Sequence, residues 1–263
     1  MKNNHVLNSR GVYLLPNLLT TGAMFAGFYS IIAAINARYT EAAIAVLIAG
    51  VLDGLDGRVA RATQTQTEFG MHYDSMSDLI SFGMAPAILV FVWSLQSLAE
   101  FGNLSGKLGW LAAFLYCACA ALRLARFNSQ AHVADKRYFQ GLASPAAAGT
   151  LVSTVWFCTE HGISGAQAAW PMLLLTTAVG LMMFTRLRYY SFKSASISQR
   201  GPLTWAFMLL LLFVLLAIDL SLMLMLIGFI YILSGALITW RGRQRRRSRN
   251  TQQRAHEADK DAP

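Results

Sequence analysis

Hydrophobic residues run through this chain in long stretches, broken at intervals by short polar segments. A helix needs about 20 apolar residues to cross the hydrocarbon core of a bilayer. Eight stretches approach that length: Leu14–Ile35, Ala42–Ala62, Phe69–Leu98, Leu108–Phe127, Pro145–Cys158, Ala168–Thr185, Leu203–Ile218 and Ser221–Trp240. Asp219 and Leu220 alone separate the last two, which predicts a tight antiparallel hairpin. The pattern predicts an all-α integral membrane protein of about eight transmembrane helices, with residues 1–240 as one polytopic domain. Beyond Trp240 the chain becomes RGRQRRRSRNTQQRAHEADKDAP. This basic segment, 241–263, is too polar to bury a core and is expected to be disordered. The first apolar run follows Lys2 and Arg10, as in a signal peptide. It is too long for a signal core and leads to no small-residue cleavage site, so it reads as a retained first span.

Composition supports the membrane class. Of 263 residues, 55% are hydrophobic and 13% charged, against about 25% charged in a soluble domain. The net charge of +9 would point to nucleic acid in a soluble protein. Here the basic residues flank apolar runs, so membrane orientation explains them and no nucleic-acid partner is implied. With both termini inside, twenty of the Lys and Arg residues fall on the cytoplasmic side, and only Arg38 and Lys107 fall outside. The expected location is therefore a bacterial-type inner (cell) membrane with cytoplasmic termini. The basic tail reads as a topology anchor, with anionic lipid headgroups as an alternative partner. Cys117, Cys119 and Cys158 form no C-x-x-C and read as small apolar packers.

One polar stretch remains, DGLDGRVARATQTQTEFGMHYDSMSD, from Asp53 to Asp78. Asp53 and Asp56 stand at i, i+3 on the second helix, with Ala60 on the same face and Gly57 and Arg61 beside it. On the third helix Gly70, Asp74 and Asp78 are spaced i, i+4, i+8. That rise sets Asp74 and Asp78 about 6 Å apart along the axis. The polar turn between the helices forces them antiparallel, so the two carboxylate pairs can face each other. Carboxylates in or near a bilayer are costly, and four together point to function. Oxygen-only ligands favour Mg²⁺, Mn²⁺ or Ca²⁺ over zinc. Four ionised carboxylates would carry about −4, which two divalent ions cancel. Such a pair can clamp a phosphoryl or pyrophosphate group. Gly57, Ala60 and Gly70 leave room for a ligand near the backbone, and Arg61 can meet a phosphate. The topology puts this stretch on the cytoplasmic side, where nucleotides are found.

The spacing D-x-x-D-G-x-x-A-R-x8-G-x3-D-x3-D, on Asp53, Asp56, Gly57, Ala60, Arg61, Gly70, Asp74 and Asp78, resembles the CDP-alcohol phosphatidyltransferase family at every defined position. The segments PNLLT (Pro16–Thr20), SFGMAPA (Ser81–Ala87), RLARFN (Arg123–Asn128), FQGLASPAAA (Phe139–Ala148) and RYYSFK (Arg188–Lys193) resemble its phosphatidylserine synthase branch. The resemblance implies a helical-bundle membrane enzyme. It would move the phosphatidyl group of CDP-diacylglycerol to the hydroxyl of L-serine and release CMP, with two ions of Mg²⁺ or Mn²⁺. It further implies that Asp53, Asp56, Asp74 and Asp78 bind metal and that Asp78 is the general base. Gly57, Ala60 and Gly70 would line the cytidine pocket, Arg61 would touch phosphate, and the protein would be a homodimer.

Serine's carboxylate needs a cationic partner, and Arg123, Arg126 and Lys193 at cytoplasmic helix ends are the candidates, each also explicable as an interfacial anchor. Asn17 and Asn128 read as helix caps, His72 as a packing or water-facing residue, and Pro86 as a kink. Two rivals stay open. Glycerol 3-phosphate or an inositol compound could replace serine. An ion transporter could use the acidic cluster, although such sites usually lie near the bilayer midplane on broken helices.

Overall fold

The computed structural model describes residues 4–65, 67–130, 139–185, 188–189 and 219–235, nearly all of them helical. Helix α1 (Asn4–Ile35) and helix α2 (Tyr39–Ala62) form an antiparallel hairpin. At its turn Arg38 pairs with Glu41 at 3.1 Å, and the Tyr29 hydroxyl donates to the same carboxylate at 2.8 Å. Helix α3 (Glu68–Asp78) opens at Thr67, whose Oγ1 accepts the Gly70 N–H at 3.0 Å. The helix runs on through a π-helical turn, Leu79–Met84, into α4 (Ala85–Trp93). Pro86 explains the change of pitch. It has no N–H for the Phe82 carbonyl four residues back, and the fully buried Tyr116 donates its hydroxyl to that carbonyl instead, at 2.9 Å.

A 3₁₀ segment, Leu95–Phe101, leads to α5 (Asn103–Gln130), α6 (Ser144–Glu160) and α7 (Ala169–Phe184). The last described helix is α8 (Leu220–Gly235). Two short strands were not foreseen: β1 (Phe139–Gln140) pairs antiparallel with β2 (Arg188–Tyr189), Phe139 opposite Tyr189. Between β1 and α6, Gly141 turns at φ 88°, where a Cβ would run into the Met183 carbonyl of α7.

The expectation of eight spans is not reached among the described residues. Three helices are long and apolar enough to cross a membrane: Leu15–Ile35, Glu68–Phe101 and Asn103–Ser129. The apolar helices α7 and α8 are shorter. Helix α6 has 17 residues, fewer than the roughly 20 a full span needs. Helix α2 has the length, but its last turns carry Asp53, Asp56, Arg58 and Arg61. The stretch Leu203–Ile218 and the tail 241–263 lie outside the described residues. The chain is nonetheless a membrane protein by its spans. Phe25, Phe28, Leu174 and Ile230 point outward from the bundle, as suits side chains that meet lipid.

Hydroxyl groups fasten α1 to α3 and to the π turn that follows it. Ser77 Oγ donates to the Thr20 carbonyl at 3.1 Å, and Ser81 Oγ to the Ala23 carbonyl at 3.0 Å. Both serines are buried, and each contact satisfies a hydroxyl that apolar surroundings would leave unpaired. Gly27 permits the approach, because a Cβ there would overlap the Ser81 backbone. At the other end of the bundle Asp219 caps α8, its Oδ1 accepting from the Leu222 N–H and the Ser221 hydroxyl, both at 2.8 Å. These bonds, with His161 Nε2 at 3.5 Å, hold the Asp219 carboxyl below the usual carboxylate range.

Gly27→Ala is expected to destabilise the protein by about 1–3 kcal/mol through overpacking. Gly54, with nothing within 4 Å of a Cβ, serves as the control: Gly54→Ala should be neutral or stabilising by up to about 1 kcal/mol. Thermal melts of both variants in detergent measure the difference.

Candidate active site

The turn between α2 and α3 sets the site. Thr63 Oγ1 accepts or donates to Thr65 Oγ1 at 2.7 Å, and Gln64 takes a positive φ of 55°. The chain reverses there. Asp56 stands six residues before the end of α2 and Asp74 six after the start of α3, so the pairs come level. Asp53, Asp56 and Asp74 each bring a carboxylate oxygen to within 4.8 Å of the other two. Asp78 lies outside that group of three but is in hydrogen-bond contact with Asp53. Asp56 is buried at 5% exposure, and the other three are partly buried. Like charges this close repel unless a cation lies among them.

The donor set fits a hard divalent cation. All three ligands of the group are carboxylates, without His or Cys, which suits Mg²⁺, Mn²⁺ or Ca²⁺. Asp74 Oδ1 is buried with no hydrogen-bond partner. A buried carboxylate oxygen left unpaired in a native fold calls for a ligand or water, and a metal ion would satisfy it.

The surrounding contacts hold these carboxylates in place, and several come from residues that the spacing pattern does not include. Thr20 Oγ1 donates to Asp56 Oδ2 at 2.6 Å. Thr21 Oγ1 and the Tyr73 hydroxyl meet at 2.8 Å, again joining α1 to α3. Ser75 Oγ lies 2.9 Å from Asn128 Nδ2 and 3.2 Å from its Oδ1, tying α3 to α5. Asn128 therefore bridges helices and is not a cap. Asn17 lies inside α1 and so does not cap that helix; its Oδ1 stands 3.7 Å from where a Gly70 Cβ would be, beside the first turn of α3. Thr20 belongs to the PNLLT stretch, which carried a resemblance but no assigned role. Asn128 closes the RLARFN stretch and reads there only as a cap, while Thr21, Tyr73 and Ser75 have no signal in a single sequence.

Around the acids, small residues keep the surface open. The Arg61 guanidinium folds over Gly57, its Nη1 3.6 Å from where a Cβ would be. Ala60 is half-buried on the same helix, and Gly70 has room only up to Thr67 Oγ1 at 3.0 Å. His72 is exposed. On α5, Arg123 Nη1 donates to the fully buried Ser144 Oγ at 2.8 Å, at the start of α6. Its guanidinium lies within Coulombic range of Asp78. Its Nε is buried without a hydrogen-bond partner. Arg126 lies one turn further along α5. Lys193 lies outside the described residues. The structure thus brings the four aspartates, Gly57, Arg61, Gly70 and Arg123 to one end of the bundle.

A family model described as CDP-alcohol phosphatidyltransferase matches residues 13–179. A CDP-diacylglycerol–serine O-phosphatidyltransferase from Helicobacter pylori (strain ATCC 700392 / 26695) is 34% identical over 182 residues, which is 69% of this chain and 74% of that protein. One of the same name from Mycobacterium leprae is 29% identical over 179 residues, 66% of this chain and 57% of that protein. An archaetidylserine synthase from Methanothermobacter thermautotrophicus is 35% identical over 177 residues, 66% of this chain and 69% of that protein.

Residues that orient a metal ligand typically account for about 10–100-fold in metal affinity. Thr20→Val keeps the shape of the side chain and removes the donor to Asp56. It is expected to weaken Mn²⁺ binding at least about tenfold, read by Mn²⁺ titration of the purified protein. An unchanged affinity would show that the Thr20–Asp56 bond is structural only.

Proposed function

The chain belongs to the CDP-alcohol phosphatidyltransferase family, and we propose that it transfers the phosphatidyl group of CDP-diacylglycerol to the hydroxyl of L-serine, giving phosphatidylserine and CMP. One observation carries the chemical reading: the convergence of Asp53, Asp56 and Asp74 within 4.8 Å of one another, with Asp74 Oδ1 left for a ligand. Serine as acceptor is supported by the names of the Helicobacter and Mycobacterium relatives.

Asp53, Asp56 and Asp74 would hold Mg²⁺ or Mn²⁺, two ions in all, with Asp78 close to or sharing that site. Bound there, the metal would offset charge on the diphosphate and on the departing CMP. Asp78 takes the proton from the serine hydroxyl as that oxygen bonds to the phosphatidyl phosphorus. The bond from this phosphorus to the CMP oxygen breaks, and CMP leaves. Gly57, Ala60 and Gly70 line the cytidine side, and Arg61 meets a phosphate. Arg123 binds the acceptor carboxylate, with Arg126 and Lys193 as further candidate cations for it. The site opens to the cytoplasm, where the Lys and Arg distribution places both termini, and membrane lipid surrounds a homodimer. The absence of a zinc-type ligand set in the cluster supports hard-cation chemistry.

Purified protein given CDP-diacylglycerol, Mg²⁺ or Mn²⁺ and labelled serine is expected to form labelled lipid and CMP in equal amounts. A chelator should stop both. Label entering only from glycerol 3-phosphate would reassign the acceptor, and no CMP with any acceptor would overturn the enzyme reading. Asp78→Asn is expected to lower transfer by about 100-fold or more, the range of general-base losses, with nucleotide binding retained. Normal turnover in that variant would remove Asp78 from the base role.

A further inference from the structure

Helix α8 lies beyond residue 179, where the family match ends, yet it reaches the site. It runs antiparallel to α6. At one end His161, just past α6, meets Asp219 at 3.5 Å. Midway, Gly228 packs on Thr150 so closely that a Cβ would overlap the threonine side chain. From that crossing α6 leads back toward Ser144, while α8 advances toward Tyr231 and Gly235. Leu224, Gly228, Tyr231 and Gly235 repeat at i, i+4, i+7, i+11, a single stripe. Leu224 and Tyr231 pack against the buried core, and Gly235 is buried.

Tyr231 therefore lies toward the corner where Arg123 donates to Ser144, within electrostatic range of that guanidinium. Among the described residues, the titratable groups in electrostatic range of Arg123 are Asp78, Tyr231 and Tyr116. The Tyr116 hydroxyl is engaged with the Phe82 carbonyl. The Arg123 guanidinium, the Asp78 carboxylate and the Ser144 and Tyr231 side chains thus gather at one corner. A zwitterionic acceptor matches both signs here, its carboxylate toward Arg123 and its ammonium toward the aspartates. A carboxylate's two oxygens suit a guanidinium flanked by hydroxyl donors.

We propose that Tyr231, with Arg123 and Ser144, forms the subsite that holds the acceptor's carboxylate, so that a helix outside the family-matched segment helps select the acceptor. This rests on the serine reading above and adds a residue to it. Tyr231 is a specificity residue: it binds the end of the acceptor that does not react.

The test uses the full chain in detergent micelles with CDP-diacylglycerol, Mn²⁺ and labelled L-serine. Tyr231→Phe keeps the ring and removes the hydroxyl. It is expected to raise the KM for serine about three- to tenfold, the loss of one hydrogen bond to the ground state and transition state alike, while the KM for CDP-diacylglycerol stays within about twofold. Ser144→Ala should shift the same KM in the same direction, which keeps the test open if Tyr231→Phe fails to fold. Unchanged serine KM in both variants, or equal rises in both substrates' KM, would overturn the subsite while leaving serine transfer intact. Wild-type protein that transfers nothing to serine would overturn the functional reading and the subsite with it.

Discussion

Four carboxylates gathered at one end of an apolar bundle are the constraint around which the other contacts arrange. Like charges in a poorly solvated place are unfavourable unless cations and hydrogen bonds compensate. The surrounding contacts follow from that demand. Thr20 donates to Asp56, Arg123 lies in range of Asp78, and Asp74 keeps one oxygen unpaired. The hydroxyls of Ser77 and Ser81 hold α1 against α3 and the π turn, so the aspartates of α3 are fixed relative to the helix that carries Thr20. Packing at Gly27 makes that contact close enough. Helices rather than loops carry these carboxylates, which would give a metal bound there a precise site.

The π turn serves the same end. Pro86 removes one backbone donor, and Tyr116 supplies a hydroxyl in its place. The helix keeps its course without a break, so Asp74 and Asp78 sit on a continuous segment that runs from the polar turn into the apolar core. Arg123 lies seven residues, about two turns, beyond Tyr116 on α5. One helix thus both secures the π turn and carries the cation that faces Asp78.

Much of the site was legible because its logic is local. Spacings of i, i+3 and i, i+4 fix which side chains share a helix face, and a short polar turn fixes that two helices are antiparallel. Those two facts bring Asp53, Asp56 and Asp74 together without any tertiary knowledge. The eight-span count was less secure, because hydropathy runs ignore the charges that end α2 and the shortness of α6 and α7. Thr20, Tyr73 and Asn128 act across 36 to 53 residues of sequence, and no periodicity encodes a contact that distant. Asn128 looked like a cap because polar residues at helix ends usually are; only the packing of α5 on α3 gave it another partner. The π turn was half legible: Pro86 announced a disturbance but not the tyrosine that repairs it. Tyr231 was invisible for another reason. It sits in an apolar run with no motif, and only the crossing at Gly228 and Thr150 brings it to Arg123.

The central claim is that the facing aspartates of α2 and α3 form one metal centre. Anomalous diffraction from crystals grown with Mn²⁺ tests it directly. The expected result is a manganese peak bounded by the carboxylates of Asp53, Asp56 and Asp74, lost in crystals of the Asp74→Asn variant. A peak elsewhere in the bundle, or none at these carboxylates at saturating Mn²⁺, would contradict it.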